Sequence, residues 1–373
     1  MPKIVSVHSF RHGTGKSNLV ANLAVSVARQ GHRVGILNTD LQPPGIHTLF
    51  GLDNDKSDRI LNYYLWGDVR FPEVPDGQTP RLKIEQGEIT VMGRGVYLAP
   101  SHIQVGEVPH LLQQGHDMSV LSQSFFELGN RLSLDCMFID TYPSLTEETL
   151  LSIAIADILI LILCLDSQSF QGVAVALDVA RKLGVPQILL VANQVLPSFR
   201  PEEVQQQLEK TYGEVVAGVL PFSDEMLQLA SGGIFCLQYP NHPLTEKMQA
   251  IAQQILHSTP RAPANETAVQ PTPPAPEPSL EPSIGLNMFD VLTLPETQRR
   301  IVNWVMRQGM VTSQQIAAHM EQDEALIHRM LMALIDQGFI QEIEKDGQPH
   351  YRPYMATKQK RRLSRNIWDV FED

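Results

Sequence analysis

A short apolar run, Ile4, Val5 and Val7, leads into Gly13-Thr14-Gly15-Lys16-Ser17 and then into Leu19, Val20, Leu23, Ala24 and Val27 at helical spacing. The order strand, glycine loop, helix makes an anion cradle, because backbone N–H groups and the positive end of a helix dipole converge on one point. In such a cradle Lys16 lies on the β- and γ-phosphates of a nucleotide and the Ser17 hydroxyl on Mg²⁺. The first glycine of the usual G-x-x-x-x-G-K-[ST] pattern is missing, with Phe10 in its place. Its context, a strand before and a helix after, carries the assignment. The alternative is a plain glycine turn at a strand end.

The helix stops at Gly31, and Arg33 to Leu37 reads as a buried strand, completing one βαβ unit with Asn38-Thr39-Asp40 at its carboxyl end. Residues 41–100 are predicted to hold no more than a helix near 57–66 and a hairpin-like insertion. Alternation then returns. Strands are predicted at Val96 to Ala99, Cys136 to Ile139, Ile158 to Leu165, Gln187 to Ala192 and Val215 to Leu220. Helices are predicted over 118–132, 170–183, 201–211 and about 244–256. The nearly unbroken apolar run Ile158 to Leu165 suits the middle of a parallel sheet covered on both faces. Repeated β-then-α over some 250 residues predicts an α/β fold, a doubly wound and mostly parallel sheet.

Between Pro260 and Pro282 eight prolines stand among Ala, Glu, Thr and Ser, too many for helix and with too few apolar groups to pack. This reads as a disordered linker over 258–286, reaching from roughly 30 Å as a coil to roughly 80 Å as polyproline, so that the residues beyond it are tethered rather than docked. In that distal part, helices are predicted over 295–308, with Ile301, Trp304 and Val305 inward, and over 312–320 and 323–337. A two-stranded wing over Phe339 to Tyr354 turns at Asp346-Gly347. Three helices and a hairpin predict a small winged helix-turn-helix over 287–355, followed by a basic and aromatic tail over 356–373.

Composition narrows the function classes. A net charge of −12 argues against a globally basic nucleic-acid binder, and residues 287–373 hold eleven Lys/Arg against twelve Asp/Glu. The third helix of that unit, Asp323 to Met330, carries as many acids as bases, which favours a protein-interaction or dimerisation role over DNA reading. If DNA is bound, Lys358-Gln359-Lys360-Arg361-Arg362 is the main phosphate contact. The same run with Ile367-Trp368-Asp369-Val370-Phe371 makes weak contact with a membrane surface another alternative. Cys136, Cys164 and Cys236 are far apart and read as buried free thiols without metal spacing. No long apolar run or signal segment is seen, so a cytoplasmic protein, at most peripheral to nucleoid or inner membrane, is expected.

The loop residues Arg11-His12-Gly13-Thr14-Gly15-Lys16-Ser17 resemble the K-G-G-x-G-K-[ST] signature of the deviant P-loop ATPases of the ParA/MinD type. The resemblance runs in order along residues 1–257. Asn38-Thr39-Asp40 is similar to the D-x-D after the second strand, and Phe138-Ile139-Asp140-Thr141-Tyr142-Pro143 to the Walker B and D-T-P-P segment. Val191-Ala192-Asn193 resembles the strand-end Asn that reads adenine, and Leu220-Pro221-Phe222-Ser223-Asp224 the loop that closes beside the base. The resemblance implies ATP and Mg²⁺ as cofactors and a homodimer through the nucleotide face. It implies binding by Gly13, Thr14, Gly15, Lys16, Ser17, Asn18, Asn193 and Pro221, and metal contact by Ser17, Asp140 and Asp40. Catalysis would rest on Lys16, Asp40, which orients the attacking water, and Arg11. Asp140 could instead cap the next helix, and Asp40 could be a turn residue before Pro43-Pro44. Leu196 stands where a GTPase keeps a carboxylate for guanine, so ATP is expected rather than GTP.

Three departures from the family pattern bear on the chemistry. Arg11 replaces the lysine that reaches the partner's phosphate, and arginine can act there in bidentate fashion. His12 replaces a glycine, and Asn38 replaces the first Asp of D-x-D, which bears on hydrolysis more than on binding. The expected function is therefore an ATP-dependent dimeric switch in positioning, partitioning, division-site selection or regulation, with residues 287–373 recognising a protein partner. The alternatives are a weakly or non-hydrolysing nucleotide sensor or scaffold and a DNA-binding regulator.

Overall fold

The computed structural model describes residues 2–39, 46–50, 96–99, 129–130, 132–229, 232–258, 288–345 and 347–354. Asp40, the expected helix near 57–66 with its insertion, nearly all of the expected helix 118–132, most of the linker and the whole tail 356–373 lie outside the described residues.

Among the described residues seven parallel strands form one sheet in the order β3-β2-β4-β1-β5-β6-β7. They are β1 (Lys3–His8), β2 (Val34–Asn38), β3 (Val96–Ala99), β4 (Cys136–Asp140), β5 (Ile158–Leu163), β6 (Gln187–Val195) and β7 (Val215–Pro221). The central strands are apolar throughout: every residue of β5 is buried, as a strand covered on both faces requires. Alternate side chains feed two cores. Val5, Val7, Ile36 and Phe138 meet α1 (Lys16–Ala28) on one face, while Ile4, Leu37, Met137 and Ile139 meet the opposite layer.

That opposite layer begins with α2 (Glu147–Ala154), absent from the sequence-based expectation because eight helical residues leave little periodic signal. It has a clear start, since Thr146 caps it by accepting from the backbone N–H of Thr149. Next come α3 (Ser167–Lys182) and α4 (Pro201–Tyr212). After β7 the chain forms two short helices, α5 (Asp224–Leu229) and α6 (Phe235–Gln238), and then α7 (Pro243–His257), which packs beside α1.

Residues 288–354 form α8 (Met288–Thr293), α9 (Glu296–Gln308), α10 (Ser313–Met320), α11 (Glu324–Asp336) and an antiparallel hairpin of β8 (Ile340–Lys345) and β9 (Gln348–Pro353). A backbone bridge between Val311 and Tyr351 fixes the hairpin to the turn before α10. Inside this unit Ile301, Val302 and Val305 are buried, whereas Trp304 lies half-buried and stacks on His319 with ring centroids 4.6 Å apart.

One expectation is corrected. Residues 288–354 are docked, not merely tethered: Met288, Val291, Val302 and Met306 belong to the same continuous core as Leu150, Leu151, Ile153 and Leu183 of the sheet's outer layer. Four apolar side chains fully withdrawn from water contribute about 1.5–3 kcal/mol each, so proline content in the connecting segment does not decide the matter.

Candidate nucleotide site

The carboxyl ends of β1, β4 and β6 come together around the glycine loop. Gly13 and Gly15 hold φ +80° and +82°, the left-handed region that side chains resist. Gly15 is the residue before α1, and no side chain caps that helix, so the N–H groups of its first turn remain for an anion.

The loop is fastened from β6. Asn193 Nδ2 donates to Thr14 O at 2.8 Å and Gln194 Nε2 donates to Gly13 O at 3.1 Å. Gln194 takes φ +57° to do so. A Cβ on Gly15 would stand 2.5 Å from Asn193 Nδ2, so this close approach needs glycine. A pocket of about 320 Å³ opens beside the loop, lined by Gly15, Asn18, Asn193, Pro221, Phe222 and Met248 among others. That is the lower end of the size small-molecule sites use.

Beneath the loop, Lys16 Nζ donates to Asp140 Oδ1 in a buried ion pair, the two side chains 7% and 1% exposed. Asp140 Oδ2 and Thr14 Oγ1 are buried without a hydrogen-bond partner. A buried carboxylate oxygen aimed at a phosphate cradle fits a divalent cation or its water ligands, with half-buried Ser17 beside it in the first turn of α1. Asn38 is buried opposite Asp140 in the β2–β4 register, and Thr39 N donates to Asp140 O at 2.9 Å. The carboxylate reading of Asp140 as a cap for the next helix does not hold, because Thr146 caps α2.

Two other contacts were not legible in the sequence. Arg11 Nη2 donates to Asp166 Oδ2 at 2.5 Å and its Nε to Ser169 Oγ at 3.3 Å, so the residue expected to reach a partner is held within its own chain. Asp166 caps α3 by accepting from Ser169 N at 2.9 Å; the D-x-x-S spacing was the available signal. His12 meets Tyr142 edge to face with centroids 5.6 Å apart. Both stand where the signature patterns have glycine and proline, so the two departures touch each other.

His8 lies on the far face of β1. The Thr141 hydroxyl donates to Val7 O at 2.9 Å, so it accepts from His8 Nδ1 at 2.9 Å, which puts the imidazole proton on Nδ1. Burial, reinforced by the Lys16 charge, pushes the His8 pKa down to about 3. The three cysteines are buried, with burial pushing Cys136 up to about 12 and Cys236 up to about 11. No cluster of three or more His, Cys, Asp or Glu with metal-ligand geometry occurs among the described residues.

Residues 1–256 match the family described as ParA: NUBPL iron-transfer P-loop NTPase. An uncharacterised ATP-binding protein of Methanocaldococcus jannaschii is 25% identical over 259 residues, covering 68% of this chain and 87% of that protein. A cytosolic Fe-S cluster assembly factor, the Nubp2 homolog of Anopheles gambiae, is 24% identical over 269 residues, 68% and 95% of the two chains. The chain spans 63% of the flagellum site-determining protein YlxH of Helicobacter pylori, at 23% identity over 210 residues, and 15% of the iron-sulfur cluster carrier protein of Aquifex aeolicus, at 43% identity over 53 residues. Among solved structures, the septum site-determining protein MinD of Pyrococcus horikoshii, complexed with Mg-ADP, shares the fold at TM-score 0.53 and 20% identity. The match covers 68% of this chain and 96% of that one.

Proposed function

The chain belongs to the ParA family of P-loop NTPases, the group described as NUBPL iron-transfer P-loop NTPase, and on that premise we propose that it is a Mg-ATP-binding, ATP-hydrolysing switch that dimerises through its nucleotide face. The observation that carries this reading is the buried Lys16–Asp140 pair under an uncapped helix start, with Asp140 Oδ2 left for a metal's coordination sphere. Lys16 would turn from Asp140 to the β- and γ-phosphates, exchanging one anion for another. The N–H groups of Gly15 to Ser17 would bind phosphate oxygens. Ser17 and Asp140, the latter through its Oδ2, would hold Mg²⁺, which would supply neutralisation of phosphate charge. Asn193 and Gln194 orient the loop, and the pocket beside Asn18 and Pro221 receives the base. Asp40 would orient water. Arg11 would leave Asp166 for the phosphate of a second copy, an arginine-finger role worth about 10³ to 10⁵ in rate where it operates.

Residues 287–355 are proposed as a winged helix-turn-helix that recognises a protein partner. Helices α9, α10 and α11 with a hairpin bridged to Val311 support that reading, and the mixed charge of α11 does not favour DNA. Iron-sulfur transfer, suggested by the family's description and by the assembly-factor relative, would need converging thiolates. Cys136 on β4, Cys164 after β5 and Cys236 on α6 are buried free thiols, and no metal-ligand cluster forms around them among the described residues. Cluster carriage on this chain's own thiols is therefore not the proposed activity. No helix among the described residues is long and apolar enough to cross a membrane. The deciding experiment is phosphate release from Mg-ATP by the full chain against Lys16→Ala: turnover that disappears in the variant is expected, and equal release by both would overturn the reading.

A further inference from the structure

The carboxyl ends of α2 and α3 form a surface that residues 288–354 occupy. Helix ends leave unpaired carbonyls and a negative dipole pole. Here two such ends meet one guanidinium: Arg307 Nε donates to Ala154 O at 3.0 Å, and its Nη2 to Leu183 O at 2.8 Å and Gly184 O at 2.5 Å. Asn303, one turn earlier and 4% exposed, donates to Lys182 O at 3.5 Å. Asp157, whose carboxylate accepts from Ile4 N at 2.8 Å, adds an opposite charge near Arg307. Around this polar fastening Met288 and Val291 of α8 are fully buried.

The seat is connected to the nucleotide site by a short, stiff piece. Asp140 is followed by Thr141, which bonds His8, and by Tyr142, whose carbonyl accepts from Ser144 N at 2.8 Å and Thr149 Oγ1 at 3.3 Å. Thr149 is in the first turn of α2, and Ala154, its last residue, is the acceptor of Arg307. The eight residues of α2, about 12 Å of continuous helix, therefore join the segment after Asp140 directly to the carbonyl that Arg307 holds.

We propose that the carboxyl ends of α2 and α3 are an internal docking surface for residues 288–354, and that occupancy of this seat is thermodynamically linked to nucleotide binding through α2. The linkage rests on the Mg-ATP-binding reading above. Linkage is reciprocal: if nucleotide tightens the seat, releasing the seat must weaken nucleotide by the same factor, and the converse holds if nucleotide loosens it.

The test uses the full chain, amide hydrogen exchange and Mg-ATP affinity, in wild type, Arg307→Ala and, as a second route to the same release, Val291→Asp. Faster exchange over 288–307 in both variants is expected, together with a change in Mg-ATP Kd of about fivefold or more in the same direction in both. Mg-ATP added to wild type should change exchange over 288–307 with the matching sign. Open seats with unchanged Kd overturn the linkage, and unchanged exchange in both variants overturns the seat. Wild type that binds no Mg-ATP overturns the nucleotide reading and the linkage with it. Wild type that binds normally beside variants that bind identically overturns the linkage alone.

Discussion

Lys16 and Asp140 neutralise each other beneath the glycine loop, both almost completely withdrawn from solvent. A buried pair of this kind is costly to break from one side, about 3–5 kcal/mol, because the survivor is left charged and dry. Lys16→Ala should therefore lower stability as well as abolish nucleotide binding. The double variant Lys16→Met with Asp140→Leu should recover most of the stability and none of the binding. Denaturant unfolding with ATP titration checks both; equal stability of Lys16→Ala and wild type would show that the pair contributes nothing to the fold.

Gly15→Ala places a side chain in left-handed backbone and against Asn193. The backbone term alone costs about 1–2 kcal/mol, and the loop must then leave its β6 clamp. A lower melting temperature and lost Mg-ATP binding are expected. A variant with wild-type melting and affinity would mean that the loop relaxes freely.

Arg11 and Asp166 are 40% and 36% exposed, so their ion pair is worth no more than about 1 kcal/mol. Arg11→Ala should leave melting almost unchanged while lowering ATP turnover by about 10³. Unchanged dimerisation and turnover would remove Arg11 from the catalytic set.

The His12–Tyr142 contact joins the loop to the segment that carries Asp140. Aromatic pairs of this geometry couple by about 0.5–1.5 kcal/mol. A double-mutant cycle on Mg-ATP affinity, His12→Gly against Tyr142→Ala, should return a coupling of that order. Strict additivity would make the two departures from the family pattern independent of one another.

His8 supplies a pH dependence. Its folded pKa of about 3 lies below the ordinary value of 6.5, so the unfolded chain binds more protons between those limits and stability falls as pH falls. From pH 7.5 to 4.5 the loss is about 2–3 kcal/mol. His8→Asn should flatten that slope in unfolding experiments, and an identical slope in both proteins would assign the acid sensitivity to other groups.

The sequence determined what repeats or is local. The apolar run Ile158 to Leu163 pointed to an interior strand, and the Gly-x-Gly-Lys-Ser order between a strand and a helix pointed to an anion cradle. Lys16 and Ser17 could be named from the loop itself, while Asn18, Asn193 and Pro221 could be named only through the resemblance to the ParA/MinD pattern, and the fold brings Gly15, Asn18, Asn193 and Pro221 to one pocket. Tertiary structure decided the pairings. Asp166 on Arg11, Tyr142 on His12, Gln194 on Gly13 and Arg307 on the ends of α2 and α3 join residues 123 to 181 positions apart. No local pattern encodes such contacts, because a guanidinium or carboxamide finds its carbonyl only after strand order has set which loops are neighbours. The docking of residues 288–354 was hidden for the same reason. The proline-rich connection reports its own stiffness, whereas the seat is made of buried apolar faces and spare helix-end carbonyls that exist only once α2 and α3 are packed.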